Sequence, residues 1–212
     1  MRILAHRGYW NENIERNSPK ALRMALEMGY GFESDVRDCA ERMVISHNMA
    51  TIYSQDAEEV FRWLHEFDDQ YVFAINIKAD GLKDILQSFI STYHISNYFL
   101  FDMSVPQMVE FRDEKLRFFT RQSEVEPNPC MYEDAAGVWI DGFWSIDWIT
   151  EELVKSHINN GKEICLVSPD LHGYKDYKVF WKKLKGYAID FSKVMLCTDY
   201  PNEAKDYFND KD

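Results

Sequence analysis

The chain has 212 residues, 46% of them apolar and 15% aromatic, and a formal net charge of −12. That length suits one domain spanning residues 1–212 with a full core, and the composition excludes a disordered chain. A negative charge without a basic cluster argues against nucleic acid and anionic membrane as partners, and no apolar run is long enough to span a bilayer.

Residues 2–8 read as a first strand that runs straight into His6-Arg7, so a cleavable leader is not expected. Ser18 is placed as an N-cap with Pro19 at the first helical position. Ala21, Leu22, Ala25 and Leu26 then form an apolar helical face that Gly29 or Gly31 terminates. The second strand carries Glu33 and Asp35, and a hairpin over 42–46 leads to His47. A helix is predicted over 56–68, with Val60, Phe61, Leu64 and Phe67 facing the core. The third strand, 71–78, alternates: Phe73, Ile75 and Ile77 share the face toward the helices, and Ala74, Asn76 and Lys78 share the inward face.

Helices follow at 81–93 and from Pro106, around a strand at 97–102. A fifth strand at 117–121 leads into a long irregular connection, 122–136, that contains Pro127 and Pro129. Strands at 138–141, 163–168 and 193–198 alternate with helices at 148–159, 175–187 and 202–208. Eight strands alternating with helices predict a single (β/α)8 TIM barrel. A doubly wound open sheet is disfavoured, because no glycine-rich phosphate loop follows strand one. Polar residues cluster at the carboxyl ends of nearly all the strands, where such barrels carry their sites: His6, Arg7, Glu33, Asp35, Asn76, Lys78, Asp102, Arg121, Asp141, Ser168 and Asp199. Cys39, Cys130, Cys165 and Cys197 are scattered without a CxxC spacing. They read as buried free thiols of a cytoplasmic, reducing compartment.

Glu33 and Asp35 stand two residues apart in an apolar strand, so their carboxylates share a face and repel. A hard dication, Mg²⁺ or Ca²⁺, between them removes that cost. His6 and His47 end flanking strands and titrate near neutrality. Arg7 adds an anion-binding guanidinium, and Lys78 faces inward, where a lysine needs an anion. Metal, cation and paired imidazoles together suit phosphate-ester chemistry. His65, His94 and His157 read as structural. His172 reads either as a rim contact or as a loop spacer. Arg121, Glu124 and Glu126 either complete the site or solvate a loop, and Asp102 and Asp141 are possible further metal ligands. Tyr9, Trp10, Trp139 and Trp144 read as packing residues, with an apolar wall for a lipid or sugar as the alternative.

The stretches Ala5-His6-Arg7-Gly8, Asn17-Ser18 with Ala21, Glu33-Ser34-Asp35-Val36, Val44-Ile45-Ser46-His47-Asn48, Ile75-Asn76-Ile77-Lys78 and Cys197-Thr198-Asp199-Tyr200-Pro201 resemble the glycerophosphodiester phosphodiesterase family of phosphatidylinositol-phospholipase-C-like barrels. The resemblance implies His6 and His47 as the acid/base pair and Arg7 and Lys78 as phosphate holders. It implies Glu33, Asp35 and the position of Asn76 as metal ligands. The chain departs from the family pattern at three places. Arg16 stands where the family has Glu, Asn48 where it has Asp, and Asn76 where it has a third carboxylate. An amide oxygen ligates Mg²⁺ or Ca²⁺ without bringing charge, so a weaker metal site or altered substrate choice is expected.

These readings converge on a metal-dependent phosphodiesterase acting on a glycerophosphodiester or a related polyol or sugar phosphodiester. The partner is a small phosphodiester substrate; the oligomeric state is left open. The alternative is a degenerate barrel that binds a phosphorylated glycan or headgroup without turnover. A phosphatase or epimerase on the same barrel leaves the two flanking histidines unexplained.

Overall fold

The computed structural model describes residues 1–209. In chain order the elements are β1 (Arg2–His6), α1 (Pro19–Glu27), β2 (Gly31–Cys39), β3 (Arg42–Ile45), α2 (Glu58–Glu66), β4 (Phe73–Ile77), α3 (Lys83–Thr92), β5 (Tyr98–Phe101), α4 (Val105–Asp113), β6 (Phe119–Gln122), β7 (Gly137–Ile140), α5 (Glu151–Asn159), β8 (Glu163–Val167), α6 (Lys178–Lys185), β9 (Val194–Thr198) and α7 (Pro201–Asn209). Eight parallel strands alternate with helices, the pattern of a (β/α)8 barrel, and β3 is an antiparallel extension of β2. Among the described residues no helix is long and apolar enough to cross a membrane.

The chain divides into two compact units, Ala5–Phe118 and Met1–Leu4 with the chain from Phe119 onward. In the first unit the strand order runs β5-β4-β2 toward the end of β1. Ser18 caps α1 as its spacing predicts: its hydroxyl accepts from the Ala21 N–H at 3.2 Å, and Pro19 opens the helix. Ala21, Leu22, Ala25 and Leu26 are the buried face. Every residue of β4 is buried, as expected of a strand covered on both faces. Phe73 meets the Phe61 ring of α2 edge-on at 5.7 Å and the Phe32 ring of β2 at 4.9 Å. The outward-facing aromatics of β2 and β4 thus seat the helix layer, each contributing about 1.5–3 kcal/mol of apolar burial.

In the second unit β9-β8-β7-β6 follow in order beside the start of β1. Its core joins Val138, Ile140, Ile164, Leu166, Val194 and Leu196 of the strands to Val154, Phe180, Trp181 and Leu184 of the helices. Trp181 is fully buried, and its indole N–H donates to Ser168 Oγ at 2.8 Å. The helix predicted from 148 begins at Glu151, because Thr150 is the residue that caps it, accepting from the Leu153 N–H at 3.2 Å. β6 runs one residue past the predicted strand end, to Gln122, and the rest of the predicted connection, 123–136, carries no helix or strand, as expected. None of the four cysteines is bridged. Cys165 and Cys197 are buried, but Cys130 is exposed and Cys39 only half-buried, because they lie in a turn and at a strand end rather than in the core.

His157 is structural, as expected. It is 6% exposed on α5, and it joins the Tyr132 hydroxyl on Nδ1 and Gln122 Oε1 on Nε2, both at 2.8 Å. A hydroxyl donated to one nitrogen and an N–H donated from the other suit the neutral imidazole. Burial, with Lys162 nearby, pushes its pKa below the ordinary 6.5. The folded protein therefore binds fewer protons here than the unfolded chain. The stability contribution is complete above 6.5 and is lost as pH falls through the depressed folded value. Urea unfolding from pH 7.5 to pH 5.5 is expected to show a fall in midpoint that is smaller in His157→Gln than in the wild type.

Candidate active site

β2 supplies the two carboxylates. In the β2–β4 register Glu33 lies beside Ala74 and Asp35 beside Asn76, so these four side chains share a face. Glu33 is 2% exposed, Asp35 fully buried and Asn76 7% exposed. The Lys78 N–H donates to the Val36 carbonyl at 2.9 Å, which extends the pairing past the end of β4 and directs Lys78 toward Asp35.

Four groups converge on Asp35. Arg7 Nε lies 3.3 Å from Oδ2, and Lys78 Nζ lies 3.3 Å from Oδ1. Asn17 Nδ2 donates to Oδ2 at 2.8 Å, and the Ser46 N–H donates to the Asp35 carbonyl at 3.0 Å. Glu33 is held more loosely. Its Oε2 accepts from the Arg7 backbone N–H at 3.3 Å and lies 3.8 Å from His6 Nε2. Burial and the neighbouring Asp35 charge push the Glu33 pKa well above the ordinary carboxylate range, against the pull of Arg7, Lys78 and a hydrogen bond from Asn76.

Asn17 is a site residue that the sequence reading missed; it stood there only as part of a motif. Its φ is +59°, a left-handed conformation that asparagine tolerates. Its N–H donates to the Arg7 carbonyl at 2.9 Å, and its Oδ1 accepts from Ser34 Oγ at 2.8 Å. Arg7 itself has φ +56°, and Gly8 follows at +85°. A Cβ on Gly8 would stand 2.6 Å from the Ala21 carbonyl carbon, so only glycine lets the loop lie on α1.

The guanidinium of Arg16, which stands where the family pattern has Glu, covers the Trp10 ring at 3.8 Å, and the Trp10 N–H donates to the His6 carbonyl at 3.1 Å. Tyr9 stacks on Tyr30, and Trp139 is buried, so both are packing residues. Asp141 binds His172 and Arg121. Among the described residues no group of three or more His, Cys, Asp or Glu is arranged to hold a metal, so no third carboxylate replaces Asn76.

His47 follows Ser46 into an exposed turn, its Nδ1 2.9 Å from Asn48 Oδ1. It lines an open cavity of about 980 Å³ together with Arg7, Asn17, Ser18, Tyr53 and Gln55. Both amide atoms of Gln55 are buried without hydrogen bonds. Two oxygens at the carboxylate cluster share that condition: Asn76 Oδ1 has no hydrogen-bond partner, and Asp35 Oδ1 has only its ion pair with Lys78. Asn76 Oδ1, buried without a donor beside the Glu33 and Asp35 carboxylates, is an oxygen of the kind a hard divalent cation takes.

Asn17→Ala is expected to lower stability by about 1–3 kcal/mol in urea unfolding, since Asp35 and Ser34 both lose a buried partner. Asn17→Asp is expected to cost more, because it sets a second carboxylate against Asp35.

No protein-family model and no curated protein matches the sequence. Among the solved structures that match, two do so along nearly the whole chain. A glycerophosphodiester phosphodiesterase from Parabacteroides distasonis ATCC 8503 aligns with a TM-score of 0.73 at 16% identity, covering 98% of this chain and 96% of that one. A glycerophosphoryl diester phosphodiesterase from the same organism aligns with a TM-score of 0.71 at 13% identity, covering 97% of this chain and 85% of that one. At these identities the likeness establishes a shared fold.

Proposed function

We propose that the chain is a metal-dependent phosphodiesterase that cleaves a glycerophosphodiester or a related polyol or sugar phosphodiester. The observation that carries this reading is the cluster itself. His6, Arg7, Lys78 and the unbonded amide oxygen of Asn76 surround two buried carboxylates, Glu33 and Asp35, on strands whose carboxyl ends form the functional rim of this fold. Both solved neighbours are named for glycerophosphodiester or glycerophosphoryl diester cleavage, which agrees with it.

Held by Glu33, Asp35 and Asn76, a divalent cation would supply charge neutralisation at the phosphoryl oxygens. Arg7 and Lys78 offer guanidinium and ammonium donors to the same oxygens. With Nδ1 engaged by Asn48, Nε2 is the nitrogen through which His47 exchanges a proton. One of His6 and His47 takes the proton of the attacking hydroxyl or water, and the other gives a proton to the leaving oxygen. Asn17 keeps Asp35 in place while its ion pairs exchange.

His6→Ala and His47→Ala are each expected to lower turnover by about 10²–10⁴-fold, with thermal midpoints retained. The assay is alcohol release from a panel of glycerophosphodiesters with Mg²⁺ or Ca²⁺ present. Near-normal turnover in both variants would reject the histidine mechanism.

Asn76 favours a second reading, a barrel that binds a phosphorylated ligand without turnover, since only two carboxylates face the cation. Wild-type protein inactive on every diester in the panel, yet stabilised thermally by one of them, would select that reading. In either case a third carboxylate strengthens attraction to a dication. Calorimetric titration of Mg²⁺ and Ca²⁺ is expected to give tighter binding in Asn76→Asp than in the wild type. Equal or weaker binding in the variant would remove Asn76 from the ligand set.

A further inference from the structure

The second unit carries a group of ionisable and aromatic side chains that the phosphodiesterase reading does not use. Each comes from the carboxyl end of a strand. Arg121 lies in β6, Asp141 directly follows β7, and His172 closes the 3-10 turn Pro169–His172 after β8. Asp141 is 5% exposed, and its oxygens are divided between two partners. Oδ1 lies 2.6 Å from His172 Nε2, and Oδ2 lies 3.6 Å from Arg121 Nη1.

With Nε2 held by a buried carboxylate, Nδ1 of His172 has no partner among the described residues, and the side chain keeps 25% of its surface open. The Asp141 hydrogen bond raises the His172 pKa above its ordinary value; burial opposes it, the Asp141 and Glu124 charges assist, and Arg121 opposes. The imidazole meets the Phe143 ring edge-on at 5.3 Å, and the Arg121 guanidinium covers the same ring at 5.5 Å.

Trp144 comes next in sequence, 71% exposed, its ring 6.5 Å from that of Phe143. An exposed indole on a loop ordinarily has freedom to move. This loop is clamped instead. The Glu124 carboxylate accepts from the N–H groups of Phe143, Trp144 and Ser145 at 3.1, 3.0 and 2.8 Å. The Tyr174 hydroxyl donates to the Phe143 carbonyl at 3.3 Å. An exposed indole on a clamped backbone and an imidazole oriented by a buried carboxylate, both packed on the Phe143 ring, leave little loop entropy to lose on binding.

The charges indicate what it recognises. Arg121 and His172 are matched by Asp141 and by Glu126, which lies 3.7 Å from Arg121, while Glu124 is satisfied by three amides. No net positive charge is left for an anion. A flat apolar face with a polar edge suits a ring with C–H groups on one side and hydroxyls at its rim.

We propose that Trp144 and His172 form a binding site for an uncharged saccharide ring, the indole stacking on its C–H face and His172 Nδ1 bonding a ring hydroxyl. Asp141, Arg121 and Glu124 are positioning residues for that pair. Its test reads binding of a neutral glycoside and not phosphodiester cleavage, so failure of one reading leaves the other standing.

The test is titration of the full chain with the methyl glycosides of glucose, galactose, mannose and N-acetylglucosamine, with glucuronate as a charged control. It is followed by tryptophan fluorescence and by saturation-transfer NMR. At least one neutral glycoside is expected to give a saturable response. Trp144→Ala weakens it by about tenfold or more with an unchanged thermal midpoint, since the indole lies outside the core, and His172→Gln weakens it to a smaller degree. Asp141→Asn shifts the NMR titration of His172 to lower pH and weakens binding, which a purely structural clasp does not do. The proposal is overturned by a flat titration with all four glycosides, by a response that survives Trp144→Ala, or by binding confined to glucuronate.

Discussion

A carboxylate taken fully out of water is tolerated only where charge or donors replace the solvent it has lost, and Asp35 is in that position at the centre of the first unit. Its compensation comes from three separate segments. Arg7 arrives from the turn after β1, Asn17 from the loop entering α1, and Lys78 from the end of β4. Satisfying one buried charge therefore specifies the conformation of three connections at once. The left-handed backbone of Arg7 and Asn17, and the contact of Gly8 with Ala21, are the local adjustments that allow it.

Glu33 is treated differently although it lies only two residues away. His6 Nε2 lies 3.8 Å from its carboxylate, and its acid form is favoured by burial and by the Asp35 charge. On the proposed reading this asymmetry is useful. Asp35 organises the loops, and Glu33 is the carboxylate with most to gain from a dication. Asn76 adds an oxygen to that set without adding charge, so attraction for the ion is moderated without a change in the register of β2 and β4.

The second unit repeats this solution with other residues. Asp141 is buried after its strand as Asp35 is within β2, and it too divides its oxygens between two side chains, the Arg121 guanidinium and the His172 imidazole. Asp170 is handled with neutral donors instead: the Thr198 hydroxyl at 3.0 Å and the Asp199 N–H at 2.8 Å. In each case a buried carboxylate ties together neighbouring connections of the sheet. Rigid loops are the common product, and rigid loops hold side chains in place for binding or chemistry.

Periodicity and caps are local, so they could be read from the chain directly. The alternation of strands and helices, Ser18 as an N-cap, the inward face shared by Asn76 and Lys78, and the paired carboxylates of β2 all follow from residues a few positions apart. Element ends moved by a residue or a few, as at α5, where the position of the capping hydroxyl decides the start. What sequence alone left undecided is which distant side chains meet. Asn17 reads as a motif letter until a left-handed turn places its amide on Asp35. Arg16 reads as a lost acid until it is found on Trp10. His172 reads equally as spacer or rim contact until the ends of β7 and β8 bring it to Asp141. These pairings depend on strand register and loop conformation, which are set by packing over the whole unit and leave no trace in local spacing.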